Sequence, residues 1–130
     1  MKIALNSIFV DDQDKALRFY TEVLGFVRQH DIPAGEHRWI TVVSAEAPDG
    51  AALLLAPNTH PAARTYQQAL FAEGIPATAF EVAAVDAEYA QLRARGVVFT
   101  RDPTQAGRAR IAVFADTCGN LIQIYQPHPV

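Results

Sequence analysis

Few residues in this chain have the types and spacing that chemistry requires. Its four histidines, His30, His37, His60 and His128, are the first candidates for proton transfer or metal ligation. No two of them share a helical or alternating spacing that would bring both rings to one ion. Asp11 and Asp12 form a carboxylate pair, but they stand where a helix begins, and capping accounts for them. Cys118 is the single cysteine, which excludes an internal disulfide framework and a cysteine-based zinc cluster. The chain has no GxSxG elbow, no phosphate-cradling glycine loop, and no Ser, His and Asp set that the sequence itself groups. No catalytic residue is assigned.

The elements that must position any site come in a repeat. SIFVDDQDKALRFYTEVLGF, 7–26, and AFEVAAVDAEYAQLRARGVV, 79–98, each give an apolar strand, an Asp, an amphipathic stretch and a Gly. GAALLLAP, 50–57, answers GNLIQIYQP, 119–127, so each half also closes on a turn glycine and an apolar strand. The spacing predicts helices over 12–24 and 86–95, and strands over 3–10, 38–44, 51–56, 77–82, 97–101, 110–115 and 120–125. Asp49-Gly50 is a hairpin-turn signal, DPTQAGR at 102–108 reads as a mobile loop, and 57–75 reads as a helical connection. One domain over 1–130 is expected, with a first module over about 1–57, the connection over about 58–75, and a second module over about 76–130.

Composition narrows the function classes. With 50% hydrophobic residues the chain can hold one proper core. A net charge of -3 with scattered Lys and Arg gives no footprint for nucleic acid. Apolar runs such as AALLLAP fall far short of the ~20 residues a membrane span needs, and the first residues turn acidic before a signal pattern completes. A cytoplasmic protein with no nucleic-acid or membrane partner is expected.

FVDDQDKALRFYTEVLGF, AFEVAAVDAEYAQLRARGV and VFADTCGNLIQIYQP together resemble the vicinal oxygen chelate superfamily, the group of glyoxalase I, bleomycin-resistance proteins and extradiol dioxygenases. The likeness covers nearly the whole chain, and its FYxxvLGF and D-x-x-GN-x-I-x-(I/L) motifs point to the fold rather than to one activity. It implies an α+β fold of two βαβββ modules whose curved mixed sheets form a cleft, commonly in a homodimer. In metal-dependent members one ligand comes from the first strand and one from the last strand of each module. The matching positions here are Leu5, Leu54, Ala77 and Gln123. Three of these side chains carry no donor atom, and one neutral amide cannot offset dehydration of a divalent ion. No metal and no cofactor are therefore expected.

If the odd residues of the first strand face the cleft, its lining includes Leu5, Ser7 and Phe9, with Ala77, Ala79 and Glu81 from the other module. The last strands add Ala52, Leu54 and Ala56, then Leu121, Gln123 and Tyr125. Small and apolar side chains with a few polar groups are the usual form of a small-molecule site. The residues expected at the ligand are Ser7, Phe9, Trp39, Leu54, Arg110, Gln123 and Tyr125, with Trp39 or Arg110 at the rim. The leading reading is a metal-free binder that sequesters an apolar or aromatic compound. Its alternative is a glyoxalase-like lyase, isomerase or dioxygenase with a relocated divalent-metal site.

Overall fold

A computed structural model describes residues 1–128, so the last two positions of the expected second module lie outside the described residues. The chain divides into two compact units, Met1–Tyr66 and Gln67–Val130. The first contains β1 (Leu5–Val10), α1 (Gln13–Arg18, continued by a π turn over Phe19–Val23), β2 (Val27–Ala34), β3 (His37–Ser44) and β4 (Ala47–Pro57). The second contains β5 (Thr78–Glu81), α3 (Val85–Ala94), β6 (Phe99–Ala106), β7 (Ala109–Ala115) and β8 (Leu121–Pro127), and α2 (Pro61–Ala72) crosses the division. The strand orders are β1-β4-β3-β2 and β5-β8-β7-β6. In each sheet the first and last strands of the module run parallel and the other pairs antiparallel. The α+β fold of two βαβββ modules is thus present.

Each sheet packs one face under its own helix. In the first unit Ile8, Val10, Ile40, Val42 and Leu55 alternate onto that face and are buried with Ala16, Phe19 and Tyr20 of the helix. Asp12 caps the helix by accepting from the Lys15 amide 3.0 Å away, and that bond holds its carboxyl below the usual value. Gln13 then clips the first turn to the sheet, donating to the carbonyls of Arg38 and Leu55. A guanidinium latch repeats in both modules. Arg38 pairs with Asp14 of α1 and with Asp31 of β2, and Arg110 pairs with Asp86 of α3 at 2.7 Å; each helix Asp lies 24 residues before its Arg.

That equal spacing conceals a local difference. One residue more separates Asp14 from Gly25 than Asp86 from Gly96. The π turn takes up the surplus, with the Leu24 amide donating five residues back to Phe19 and the Thr21 hydroxyl bonding to the Leu17 carbonyl. The second module recovers the residue in β6, where pairing with β7 slips twice, between Phe99 and Arg101 and between Arg101 and Thr104.

Three expectations are corrected. The 102–108 segment is not a loop: β6 runs through it to Ala106, and Pro103 is tolerated because it sits in a bulged edge strand. Asp49-Gly50 is not the turn between β3 and β4; Ala45 and Glu46 are, while Gly50 lies inside β4. There the register jumps from Val43 opposite Ala52 to Ser44 opposite Ala47, and a Cβ on Gly50 would stand 3.1 Å from the Ala47 carbonyl oxygen. β2, to which the sequence reading assigned no strand, completes the first sheet as an edge with Pro33 in it.

The turn from β7 into β8 is fixed by buried polar groups. Asp116, fully buried, accepts from the amides of Cys118 and Asn120 at 2.8 and 2.9 Å and from the Asn120 side chain at 2.8 Å. Gln67 of α2, also buried, donates to the Cys118 carbonyl and to Asn120 Oδ1, both at 3.1 Å. Gly119 has φ +99°, and a Cβ there would lie 2.8 Å from Gln67 Nε2, whose bonds prevent retreat. This explains the D-x-x-GN motif.

Gly119→Ala should therefore cost about 1–3 kcal/mol in chemical denaturation, through backbone strain and the clash with Gln67. Thr117, exposed and β-branched at φ 65°, should behave oppositely, with Thr117→Gly stabilising by about 1 kcal/mol. The Arg38 guanidinium holds the Asp31 carboxyl below its ordinary value of 3.8. That contribution is present above 3.8 and is lost as pH falls through the depressed value. Thermal melts at stepwise lower pH should show a shallower acid limb for Asp31→Asn than for the parent chain.

Candidate functional site

The helix-free faces carry most of the residues assigned from sequence. In the first sheet Ser7 stands opposite Leu54, Phe9 opposite Ala56, and Leu54 opposite Thr41. Trp39, two residues before Thr41 on β3, shares that face and lies opposite Ile32 of β2. Ser7, Phe9, Trp39 and Leu54 are thus brought to one surface. Leu5, Trp39 and Ile32 keep 42%, 41% and 51% of their exposure at its margins, while Thr41, Val43 and Ala52 on the same face are buried. Trp39 and Ile32, paired across β3 and β2, leave a small apolar patch uncovered.

The second sheet places Gln123 and Tyr125 on its own helix-free face. Gln123 stands between Ala79 and Val113, and Tyr125 between Glu81 and Ile111. Both are half-buried, and neither the Gln123 amide nor the Tyr125 hydroxyl has a hydrogen-bond partner among the described residues. A half-buried amide beside Leu121 and Val113 has lost part of its hydration without gaining a protein partner.

Arg110 is not brought to this group. It lies opposite Gln126 rather than Gln123 or Tyr125, so its side chain takes the helix-bearing face and is held by Asp86. Parity explains the misplacement, because a strand position one residue away from a cleft residue points to the other side. The pairing lowers the Asp86 carboxyl and raises the Arg110 guanidinium, as a latch between helix and strand would.

The positions that hold metal in the resembled enzymes correspond in the register. Leu5 pairs with Ala52 and Ser7 with Leu54, while the Ala77 amide bonds to the Leu121 carbonyl and Ala79 pairs with Gln123. Within each sheet both positions lie on the helix-free face, and the donor set there is one amide oxygen, which does not fit a divalent ion. Among the described residues no group of three or more His, Cys, Asp or Glu side chains could hold one. His60 has a structural task, accepting the Ala62 amide at the start of α2, and His128 pairs with Gln105.

Residues beyond the sequence assignment belong to the same faces. Ile32 and His30 come with β2, whose alternating His30, Ile32 and Ala34 are the signal that would have exposed it. Gln67, which supports the turn before Gln123, could have been found as a lone amide between apolar Ala63 and Leu70 at helical spacing. A surface groove of about 450 Å³ lies elsewhere, with Leu17, Arg18, Phe26 and Arg28 on its walls, and holds none of the assigned residues.

No helix among the described residues is long and apolar enough to cross a membrane. The chain is 59% identical over 126 residues to the protein YurT of Bacillus subtilis (strain 168), a match covering 97% of this chain and 99% of YurT. Among solved structures, UcmS2 superposes with a TM-score of 0.82 at 32% identity, covering 96% of this chain and 97% of UcmS2. TnmS3, an antibiotic binding protein from Streptomyces sp. CB03234, superposes with a TM-score of 0.75 at 29% identity, covering 98% and 96%. The family model matching residues 2–124 agrees with the paired modules and with the D-x-x-GN turn: the chain belongs to the Glyoxalase/Bleomycin resistance protein/Dioxygenase superfamily.

Proposed function

We propose that this protein is a metal-free small-molecule binder that sequesters an apolar or aromatic compound. The observation that carries the reading is the half-buried Gln123 amide, without a hydrogen-bond partner among the described residues, on a helix-free face. Apolar ligand surface covering Leu5, Phe9, Ile32 and Trp39 would supply most of the affinity, and Trp39 offers a plane for stacking. Ser7 would orient a ligand on the first sheet, and Gln123 and Tyr125 one on the second. The likeness to TnmS3, an antibiotic binding protein, supports this class of ligand. The reading includes a single functional domain, a homodimer and a cytoplasmic location, with no nucleic-acid partner.

Thermal-shift screening of aromatic antibiotics and planar metabolites should find compounds that raise the melting midpoint and are recovered chemically unchanged. For a compound held on the second sheet, Gln123→Leu should weaken binding by roughly 1–3 kcal/mol, and for one held on the first, Trp39→Ala should weaken it by about 1 kcal/mol or more. Affinity unchanged in both variants would remove the proposed faces from binding. Elemental analysis of protein purified without chelator should find no stoichiometric zinc, nickel or iron. Metal retained at one equivalent would favour the lyase, isomerase or dioxygenase alternative. Light scattering at micromolar concentration should report twice the chain mass.

A further inference from the structure

We propose that Glu81 makes the second sheet selective for ligands carrying a protonated amine, an inference that rests on the small-molecule reading and narrows its ligand class. Glu81 ends β5 directly opposite Tyr125, on the face that presents Gln123. Adjacent strands lie about 5 Å apart, so a cation seated between the two residues would have the carboxylate and the phenol ring both within reach. The carboxylate is exposed and has no ion-pair partner among the described residues, whereas the neighbouring Asp86 carboxylate on the opposite face is committed to Arg110.

The face does not neutralise it from within. The other charge there is Arg101, opposite Val113 on β6. It lies at the far edge of the order β5-β8-β7-β6, three strand spacings or about 14 Å away, beyond the screening length at ordinary salt. Glutamate is disfavoured in strands, and a charge on an edge strand also deters pairing with another chain. Lysine would serve that second purpose equally well, so the two roles separate on reversing the charge.

The test uses the purified chain and two matched probes at mildly alkaline pH, 9-aminoacridine as the planar cation and acridine as its neutral counterpart, titrated by fluorescence. The parent chain should bind the cation about tenfold more tightly, the sum expected from one exposed ion pair and one cation–π contact. Added salt should shrink that preference. Glu81→Gln should bring the ratio close to one while leaving acridine affinity unchanged, and Glu81→Lys should reverse it. Equal affinity in the parent chain, or a preference that survives Glu81→Gln, would overturn the assignment while leaving the small-molecule reading standing. Binding of neither probe to the parent chain, in a protein that does bind neutral aromatic compounds in the thermal screen, would overturn it too; failure of every aromatic compound would instead bring down the reading beneath it.

Discussion

The second module depends on one buried carboxylate. The amides of Cys118 and Asn120 and the Asn120 side chain all donate to Asp116. A buried anion is stable only when its lone pairs are filled, so the turn has little freedom to take another shape. Because β8 leaves directly from this turn, its register against β7 and β5 is set there, and with it the face on which Gln123 and Tyr125 emerge. A slip of one residue would bury both and expose Ile122 and Ile124.

The charges on the helix side have a different character. Arg38 and Arg110 hold their helices through carboxylates that remain largely exposed, and such pairs contribute little to stability individually. Their value is geometric. Each fixes which turn of the helix stands over which strand, while Ile8, Val10, Ile40 and Leu55 in one unit and Ala112, Phe114, Ile122 and Ile124 in the other supply the burial.

Much of this was legible in the sequence. Strands β1, β3, β4, β5, β7 and β8 and all three helices follow from alternation, helical spacing and capping residues, and parity correctly grouped Ser7 with Leu54 and Ala79 with Gln123. The edge strands β2 and β6 were obscured because Pro33 and Pro103 break the pattern and bulges shift the parity partway along each strand. Asp49-Gly50 looked like a turn because the same pair serves a bulge equally well. Arg110 was misplaced by a single step of the pleat, which the residue type could not reveal.

The π turn and the slips of β6 together describe where this architecture keeps its slack. One module carries its spare residue in a helix and the other in an edge strand, yet the distance from helix Asp to strand Arg is the same in both. Length differences between the halves are thus absorbed in the helix and in the antiparallel edge strand, and the parallel pairings of β1 with β4 and of β5 with β8 keep an unbroken register. Duplicated halves built this way can drift in length and surface chemistry while their parallel strand pairs stay aligned, and a comparison of the halves by sequence will understate how alike their frameworks are.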